Sequence, residues 1–227
     1  MHRLQAHRYN MLFTVHNFCA AYPELISDKT AAPQILARIG DVLKELRSVA
    51  PLQITHFNAS QSITSEKTKL TAELRWHLGT IIQTARLIAR TIPRFDEQFP
   101  PVRGRSDAAL LYSARLFIER AFPYWDEFVR YAMPPDLIET LKEHIQNIEQ
   151  LTLERSDART ALKDATAAID AALTEGMNAA TELDVILTNT LHANTPLLAL
   201  WKRARHVKRI PRKKAASAKA GSESSEG

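Results

Sequence analysis

The chain has 227 residues, a net charge of +5 and 45% apolar residues, and it is long enough to bury a sizeable core. Its single cysteine excludes an intrachain disulfide and any zinc or iron–sulfur site built from several cysteines. Only four of its six glycines lie before residue 202, too few for the many turns of an all-β fold, so we expect a helical protein.

Three helices are predicted in the first half of the chain from apolar residues at three- to four-residue spacing. The first ends before Pro23, and the second ends before Pro51. The apolar pattern then stops, so we expect residues 51–64 to form a loop. A third helix is predicted from Ser65 to Pro93, with an apolar stripe that continues throughout.

The second half opens with a proline-rich connection, residues 93–105, that is predicted to lead into a fourth helix. Ser106 and Asp107 are residue types that cap helix N termini, and Pro123 either kinks or ends the helix. A fifth helix with a clear apolar stripe is expected after Pro135.

The stripe of the fifth helix fails at Thr152, Arg155 and Arg159 before it resumes. An unbroken helix over residues 136–191 would be about 80 Å long, far longer than its neighbours. We therefore expect a break, with a sixth helix that begins near Ser156.

The two halves of the chain resemble each other. The motif FCAAYP at 18–23 and the motif FIERAFP at 117–123 are each followed by a helix and then by a long amphipathic helix. We expect an all-α, antiparallel bundle of six to seven helices within residues 1–201, formed by a degenerate duplication of a three-helix unit with repeats 1–92 and 106–192. A chance likeness between helical segments is the alternative, since the identities are few.

The C-terminal segment 202–227 is predicted to be a basic helix end and a disordered tail. A last helix begins at Pro196 and stops at Pro211. Nine of the 30 basic and two of the 25 acidic side chains follow Trp201, so this segment carries +7 and the rest of the chain carries −2. Such a segment can neutralise phosphates without reading sequence, and it could equally lie on an anionic membrane surface. A solvated tail without a partner explains it at least as well. The candidate polyanion-binding residues are Lys202, Arg203, Arg205, Lys208, Arg209, Arg212, Lys213 and Lys214.

No motif that defines a reaction occurs: there is no phosphate-binding glycine loop, no G-x-S-x-G and no H-E-x-x-H. Glu73 and His77 share a helix face, but no further metal ligands are identified, and we expect no metal and no cofactor. Cys19 is predicted to be a buried, inert thiol. Catalytic residues are therefore not assigned, and a non-enzyme is favoured.

A candidate anion site is formed by Arg103 and Arg105, which precede a predicted helix N terminus in the stretch RGRSD. Asp107 would occupy the same positive end of the helix dipole, so capping is the simpler interpretation. The three tryptophans are expected to be packing residues: Trp76, Trp125 and Trp201.

The stretch FDEQFPPVRGRSDAALLYSARLF, followed later by LWKRARHVKRIPRKK, resembles a group of uncharacterised bacterial proteins. A similar connection in the middle of the chain and a similar ending from a tryptophan into basic residues recur in that group. The resemblance implies a bacterial source and an all-helical fold. It implies no activity, so no functional residue is transferred.

We expect a non-enzymatic interaction or scaffold protein whose helical surface meets another protein or a second copy of itself. The alternative is an accessory nucleic-acid binder that acts through the basic C-terminal segment. A third class, an enzyme or small-ligand binder, requires a pocket with converging polar groups. No apolar run has the roughly 20 residues of a membrane span, and a cytoplasmic location is expected.

Overall fold

The computed structural model describes residues 1–104 and 106–207, and every regular element among them is a helix. The prediction of an all-α fold is confirmed. The α-helices are α1 (Arg3–Ala21), α2 (Ala32–Ile88), α3 (Asp107–Ala121), α4 (Trp125–Arg130), α5 (Leu137–Thr190) and α6 (Thr195–Ala204). Three short 3₁₀ helices complete the set, at Pro23–Leu25, Phe95–Gln98 and Phe122–Tyr124. Among these described helices, none combines the length and the apolar character that a membrane crossing requires.

Several helix ends lie where prolines and capping residues predict them. The last residue of α1 comes two residues before Pro23, which begins a 3₁₀ helix. Ser106 caps α3, because its hydroxyl accepts a hydrogen bond from the backbone N–H of Ala109 at 3.3 Å. Pro123 ends the same helix and lies in the 3₁₀ helix that follows.

The predicted loop at 51–64 is wrong, because α2 runs through it as one helix of 57 residues that also contains Ser65. Pro51 lies inside this helix and removes one backbone hydrogen bond. The residues after it lack glycine, and the hydroxyls of Thr55 and Thr64 donate to carbonyls four residues earlier. The end of an apolar stripe therefore marks the end of a buried face and not the end of the helix.

The predicted break near Ser156 is also wrong, because α5 is one helix of 54 residues. Its length is stabilised by two separate apolar cores, one around Leu141 and Ile148 and the other around Leu173 and Leu187. The predicted second and third helices are thus one helix, as are the fifth and sixth. The predicted number of six to seven bundle helices is consequently not confirmed.

The chain divides into two compact units, and both long helices contribute residues to each of them. Unit 1 consists of residues 1–50 and the described residues from 167 onward, and unit 2 consists of residues 51–166. This division follows the packing of the backbone and does not test the predicted repeats.

Unit 1 packs α1 and α6 against the first part of α2 and the last part of α5. The helices approach closely at Gly176 of α5, where an added Cβ would lie 2.6 Å from a Leu12 methyl group and 3.0 Å from one of Val42. Trp201 of α6 is fully buried, and its Nε1–H donates to Asp184 at 2.8 Å. The last helix ends at Ala204, before the predicted stop at Pro211, and that proline lies outside the described residues.

Unit 2 is built around an aromatic cluster that the sequence analysis did not predict. The rings of Phe95, Phe99, Phe117 and Phe128 pack with centroids 5.3–5.9 Å apart. These side chains are almost completely buried. Edge-to-face and tilted contacts of this kind add to the stability that burial of the rings supplies. The connection after α2 and the short helix α4 are therefore part of the core.

The tryptophans differ in their environments. Trp201 is a core residue, and Trp125 stacks on Phe128 with centroids 5.4 Å apart, so both pack as predicted. Trp76 is 67% exposed, and the prediction that it packs inside the protein is wrong. It lies between Leu74 and Leu78, which face the core, and so it is on the opposite side of α2.

Candidate functional site

In unit 2 the apolar core is interrupted on both long helices. From Pro51 to Glu73, Lys67 is the only buried residue of α2, with 7% of its surface exposed. On α5 no residue is buried in the described range 152–164. Lysine is rarely buried without a partner, so its position in a stretch without a core requires an explanation.

The two polar stretches face each other because α2 and α5 are antiparallel in this unit. Near one end, the amide Nε2 of Gln53 donates to the hydroxyl of Thr166 at 2.9 Å. Near the other end, Oε2 of Glu73 lies 3.8 Å from Nε2 of His144. From the first contact to the second, the residue number rises along α2 and falls along α5. Residues 60–69 of α2 therefore lie across from the polar stretch of α5.

Two adjoining cavities, of about 380 and 580 Å³, form what we call the basic groove. They share Arg155 and Arg159 of α5 in their walls. The smaller cavity is also lined by Lys67, Thr152, Ser156, Thr160 and Lys163. The larger cavity is also lined by Ser60, Gln61, Thr64, Ser65, Thr68 and Lys69. No carboxylate and no apolar side chain is among these lining residues.

The positive charges of the groove are mostly uncompensated. Lys67 has a partner, since its Nζ lies 2.7 Å from Oδ2 of Asp107 at the first turn of α3. Within the described part of the chain, the other four groove cations form no ion pair. The Nε atom of Arg155 is buried and has no hydrogen-bond partner among the described residues. A donor buried in this way is costly unless something binds it.

The groove is suited to binding an anion rather than to acid–base chemistry. Arginine offers a planar set of N–H donors that matches the oxygens of a phosphate group. Several hydroxyl groups lie beside these cations, among them Ser65, Ser156 and Thr160. The lining residues include no histidine, cysteine or carboxylate that accepts or donates a proton near neutral pH.

A histidine pair lies next to the groove on the same two helices. The rings of His77 and His144 have centroids 5.7 Å apart, and Glu73 approaches His144. Burial and the neighbouring His144 lower the pKa of His77, while Glu73 opposes this shift. The sequence alone places Glu73 and His77 on one helix face, whereas His144 of the other long helix is brought to them only by the fold. The part of the chain that the structure describes contains no group of three or more metal-ligating residues in suitable positions.

Cys19 lies in the core of unit 1, as predicted, with 2% of its surface exposed. Burial raises the pKa of its thiol to about 11. A thiol with this pKa remains protonated at neutral pH and is a poor nucleophile.

The predicted polyanion-binding residues are only partly described. Lys202 and Arg203 are exposed on α6, whereas Arg205 forms an ion pair with Asp184. A cavity of about 360 Å³ in unit 1 is lined by Met11, Met177, Ala180, Thr181, Lys202, Arg205, His206 and Val207. The remaining predicted residues lie outside the described part of the chain: Lys208, Arg209, Arg212, Lys213 and Lys214.

The predicted anion site before α3 stays a prediction. Arg103 is exposed, and Arg105 lies outside the described residues. Between them, Gly104 has a φ of 100°, a backbone conformation that side chains other than glycine rarely adopt. Asp107 lies at the first turn of α3 and contacts Lys67, so the chain places its own carboxylate at this helix N terminus.

The basic groove is a site that the sequence analysis missed. In the sequence, Arg155 and Arg159 indicate a helix break, and nothing in the sequence around Lys67 distinguishes it from other lysines. One sequence signal points to the site: residues 60–69 and 152–163 both lack an apolar stripe and both contain basic and hydroxyl side chains. Comparison with known proteins supplies no relative, because no family model, no curated protein and no solved structure matches the chain.

Proposed function

We propose that this protein is a non-enzymatic binding protein that holds a phosphate-bearing anion in the basic groove of unit 2. One observation carries the proposal: five cations line one groove without any carboxylate in its walls. Cations placed this close together repel one another, which destabilises the fold unless an anion or solvent screens them. A bound anion removes that repulsion and occupies the donor of Arg155.

Phosphate is the anion class that the lining favours. Phosphate groups in protein complexes are contacted mainly by arginine, lysine and hydroxyl side chains, which are the residue types found here. Each cavity also lies within the roughly 300–1,000 Å³ that is usual for small-ligand sites. Polar groups from both long helices line the groove, which supports the small-ligand class among the functions considered.

The experiment is calorimetric titration of the full chain with tripolyphosphate at constant ionic strength. We expect saturable binding that is about tenfold weaker in Arg159→Gln, since a hydrogen bond to a charged group contributes about 1.5–3 kcal/mol. Arg86→Gln is the matched control, because Arg86 is also exposed in unit 2 but lies outside the groove. Equal binding by both variants and the unsubstituted chain would refute a site in the groove.

A second candidate is the interaction or scaffold role expected from the sequence, with another protein or a second copy as the partner. Large apolar side chains are exposed in unit 2, namely Trp76 at 67%, Tyr112 at 68% and Phe122 at 66%. Exposed aromatic residues of this size are enriched at protein interfaces. Light scattering after chromatography tests self-association: a mass that stays monomeric at all concentrations counts against a second copy.

The nucleic-acid role of the basic C-terminal segment remains an alternative proposal. It is tested by comparing the full chain with a chain that ends at Val207, which keeps the ion pair of Arg205. Binding to DNA or RNA that falls steeply with salt and is lost on truncation would support this role. Unchanged binding would locate the nucleic-acid contacts elsewhere.

We also propose a duplication of the two halves and a cytoplasmic location, both expected from the sequence, with one long helix in each repeat in place of the last two helices of the predicted three-helix unit. The order of elements supports the duplication. In each half a helix of 19 or 15 residues is followed by a proline-containing 3₁₀ helix. A helix of 57 or 54 residues then follows, directly in the first half and after α4 in the second.

A further inference from the structure

We infer that the ligand of the basic groove carries at least two linked phosphate groups and has no aromatic part. This inference rests on the proposed function of the groove and specifies which anion binds there. It depends on how the groove is divided, on its charge and on the chemistry of its walls.

The groove is divided into two cavities with one common wall. Arg155 and Arg159 line both of them, while Lys163 lines only the smaller and Lys69 only the larger. A single orthophosphate ion has five heavy atoms and is small compared with either volume. An ion of that size contacts the shared arginines and leaves at least one cavity and its lysine unused. A chain of phosphates reaches cations of both cavities.

The charge leads to the same conclusion. Asp107 compensates Lys67, so four positive charges remain: Lys69, Arg155, Arg159 and Lys163. One phosphate group carries about 1.5–2 negative charges at neutral pH. One phosphate group therefore cannot neutralise the groove, whereas pyrophosphate or tripolyphosphate supplies the charge of several linked groups in one molecule.

The walls argue against a nucleotide or a single-stranded nucleic acid. No aromatic side chain lines either cavity, so a base would have no ring on which to stack. The lining also contains no leucine, isoleucine, valine or methionine side chain against which the face of a base could pack. The polar groups of the groove are lysine, arginine, hydroxyl and amide groups, all of which contact phosphate oxygens.

The test measures the affinity of the full chain for orthophosphate, pyrophosphate and tripolyphosphate at one ionic strength. We expect tripolyphosphate to bind at least about tenfold more tightly than orthophosphate. Lys69→Gln and Lys163→Gln, one from each cavity, should each weaken tripolyphosphate binding. Arg159→Gln should weaken binding of all three ions, and Arg86→Gln should change none of them. The basic C-terminal segment is present in every variant, so differences between variants report on the groove.

Three results would overturn the inference. Orthophosphate that binds as tightly as tripolyphosphate, with a loss in Arg159→Gln, indicates a site for one phosphate and leaves the proposed function intact. If only one of Lys69→Gln and Lys163→Gln weakens tripolyphosphate binding, the ligand occupies one cavity. That result also overturns the inference and leaves the proposed function intact. ATP or an oligothymidine that binds more tightly than tripolyphosphate, with the same sensitivity to Arg159→Gln, indicates that a base or a nucleic acid is recognised. Binding that none of the groove substitutions changes instead refutes the proposed function itself.

Discussion

The two units use the same long helices in different ways. In unit 1 the end of α5 packs through small residues, and Gly176 allows Leu12 and Val42 to approach its backbone. In unit 2 the same helix has no buried residue over residues 152–164, and the groove between it and α2 is lined by cations. Polar side chains in unit 1 are satisfied internally, as in the hydrogen bond of 2.8 Å from Gln5 to Asp170.

This difference indicates where stability and binding reside. Side chains that are packed or paired inside the protein contribute to its folding and are not available to a ligand. The basic groove has the opposite character, since it contributes little burial and leaves four cations without an ion-pair partner among the described residues. We therefore expect substitutions in unit 1 to change folding, and substitutions in the groove to change binding.

The largest effect is expected for Trp201→Ala in unit 1. This side chain is fully buried and donates to Asp184, so its removal should lower the free energy of unfolding by about 3–5 kcal/mol. Trp76→Ala in unit 2 is the matched change at an exposed position, with an expected effect within about 0.5 kcal/mol. Urea unfolding followed by circular dichroism measures both values. Similar losses would contradict the assignment of Trp76 to the surface.

Asp107→Asn should have the next largest effect, because it removes the partner of a buried lysine. The lysine side chain is 9% exposed and the aspartate 42%, so we expect partial screening and a loss of about 1–2 kcal/mol. Asp41→Asn is the control, since its pair with Lys44 is 73% and 78% exposed and should contribute at most about 0.5 kcal/mol. Thermal unfolding at low and high salt measures the difference between the two variants. Equal small losses would mean that the carboxylate of Asp107 does not stabilise the buried Lys67.

Alanine substitutions at two helix glycines should change stability by smaller amounts and in opposite directions. Gly176→Ala places a methyl group against the fully buried Leu12, and we expect a net loss of about 1 kcal/mol after the gain in helix propensity. Gly79→Ala meets no atom within 4 Å and should stabilise the fold by up to about 1 kcal/mol. Calorimetry measures both melting temperatures. A stabilising Gly176→Ala would show that unit 1 has more space at this position than the structure indicates.

The smallest expected effect concerns the pH dependence of unit 2. The pKa of His77 is lowered below its usual value of 6.5, so the folded protein takes up this proton less readily than the unfolded chain. Its contribution to stability is complete above pH 6.5 and is lost as the pH falls below that value. The decrease in melting temperature between pH 7.5 and 5.5 should therefore be smaller in His77→Gln. His206→Gln, an exposed histidine of unit 1, should behave like the unsubstituted chain.

The helix content and many helix ends were predictable because local chemistry determines them. Pro23 and Ser106 act within one turn of their own positions, so their effects follow from the sequence nearby. The continuity of α2 through Pro51 was not predictable in this way. It depends on which residues of a distant helix lie opposite, and no local pattern contains that information.

The candidate site was missed for the same reason. Arg155 and Arg159 are ordinary solvated residues when α5 is considered alone. They become part of a site only because Lys67 and Lys69 of α2, more than 80 positions away, lie across from them. The aromatic cluster of unit 2 likewise joins Phe95 to residues of α3 and α4, whose pairing depends on how the connections fold.

Asp107 gives Lys67 a counterion from within the protein, and this has consequences for any ligand. A ligand that reaches the ammonium group of Lys67 must compete with the carboxylate of Asp107. Because that carboxylate belongs to the same chain, its effective concentration does not fall on dilution. Removing that carboxylate weakens the fold and also removes the competitor, so a less stable variant should bind its ligand more tightly. Folding stability and ligand affinity thus oppose each other at a single side chain of α3.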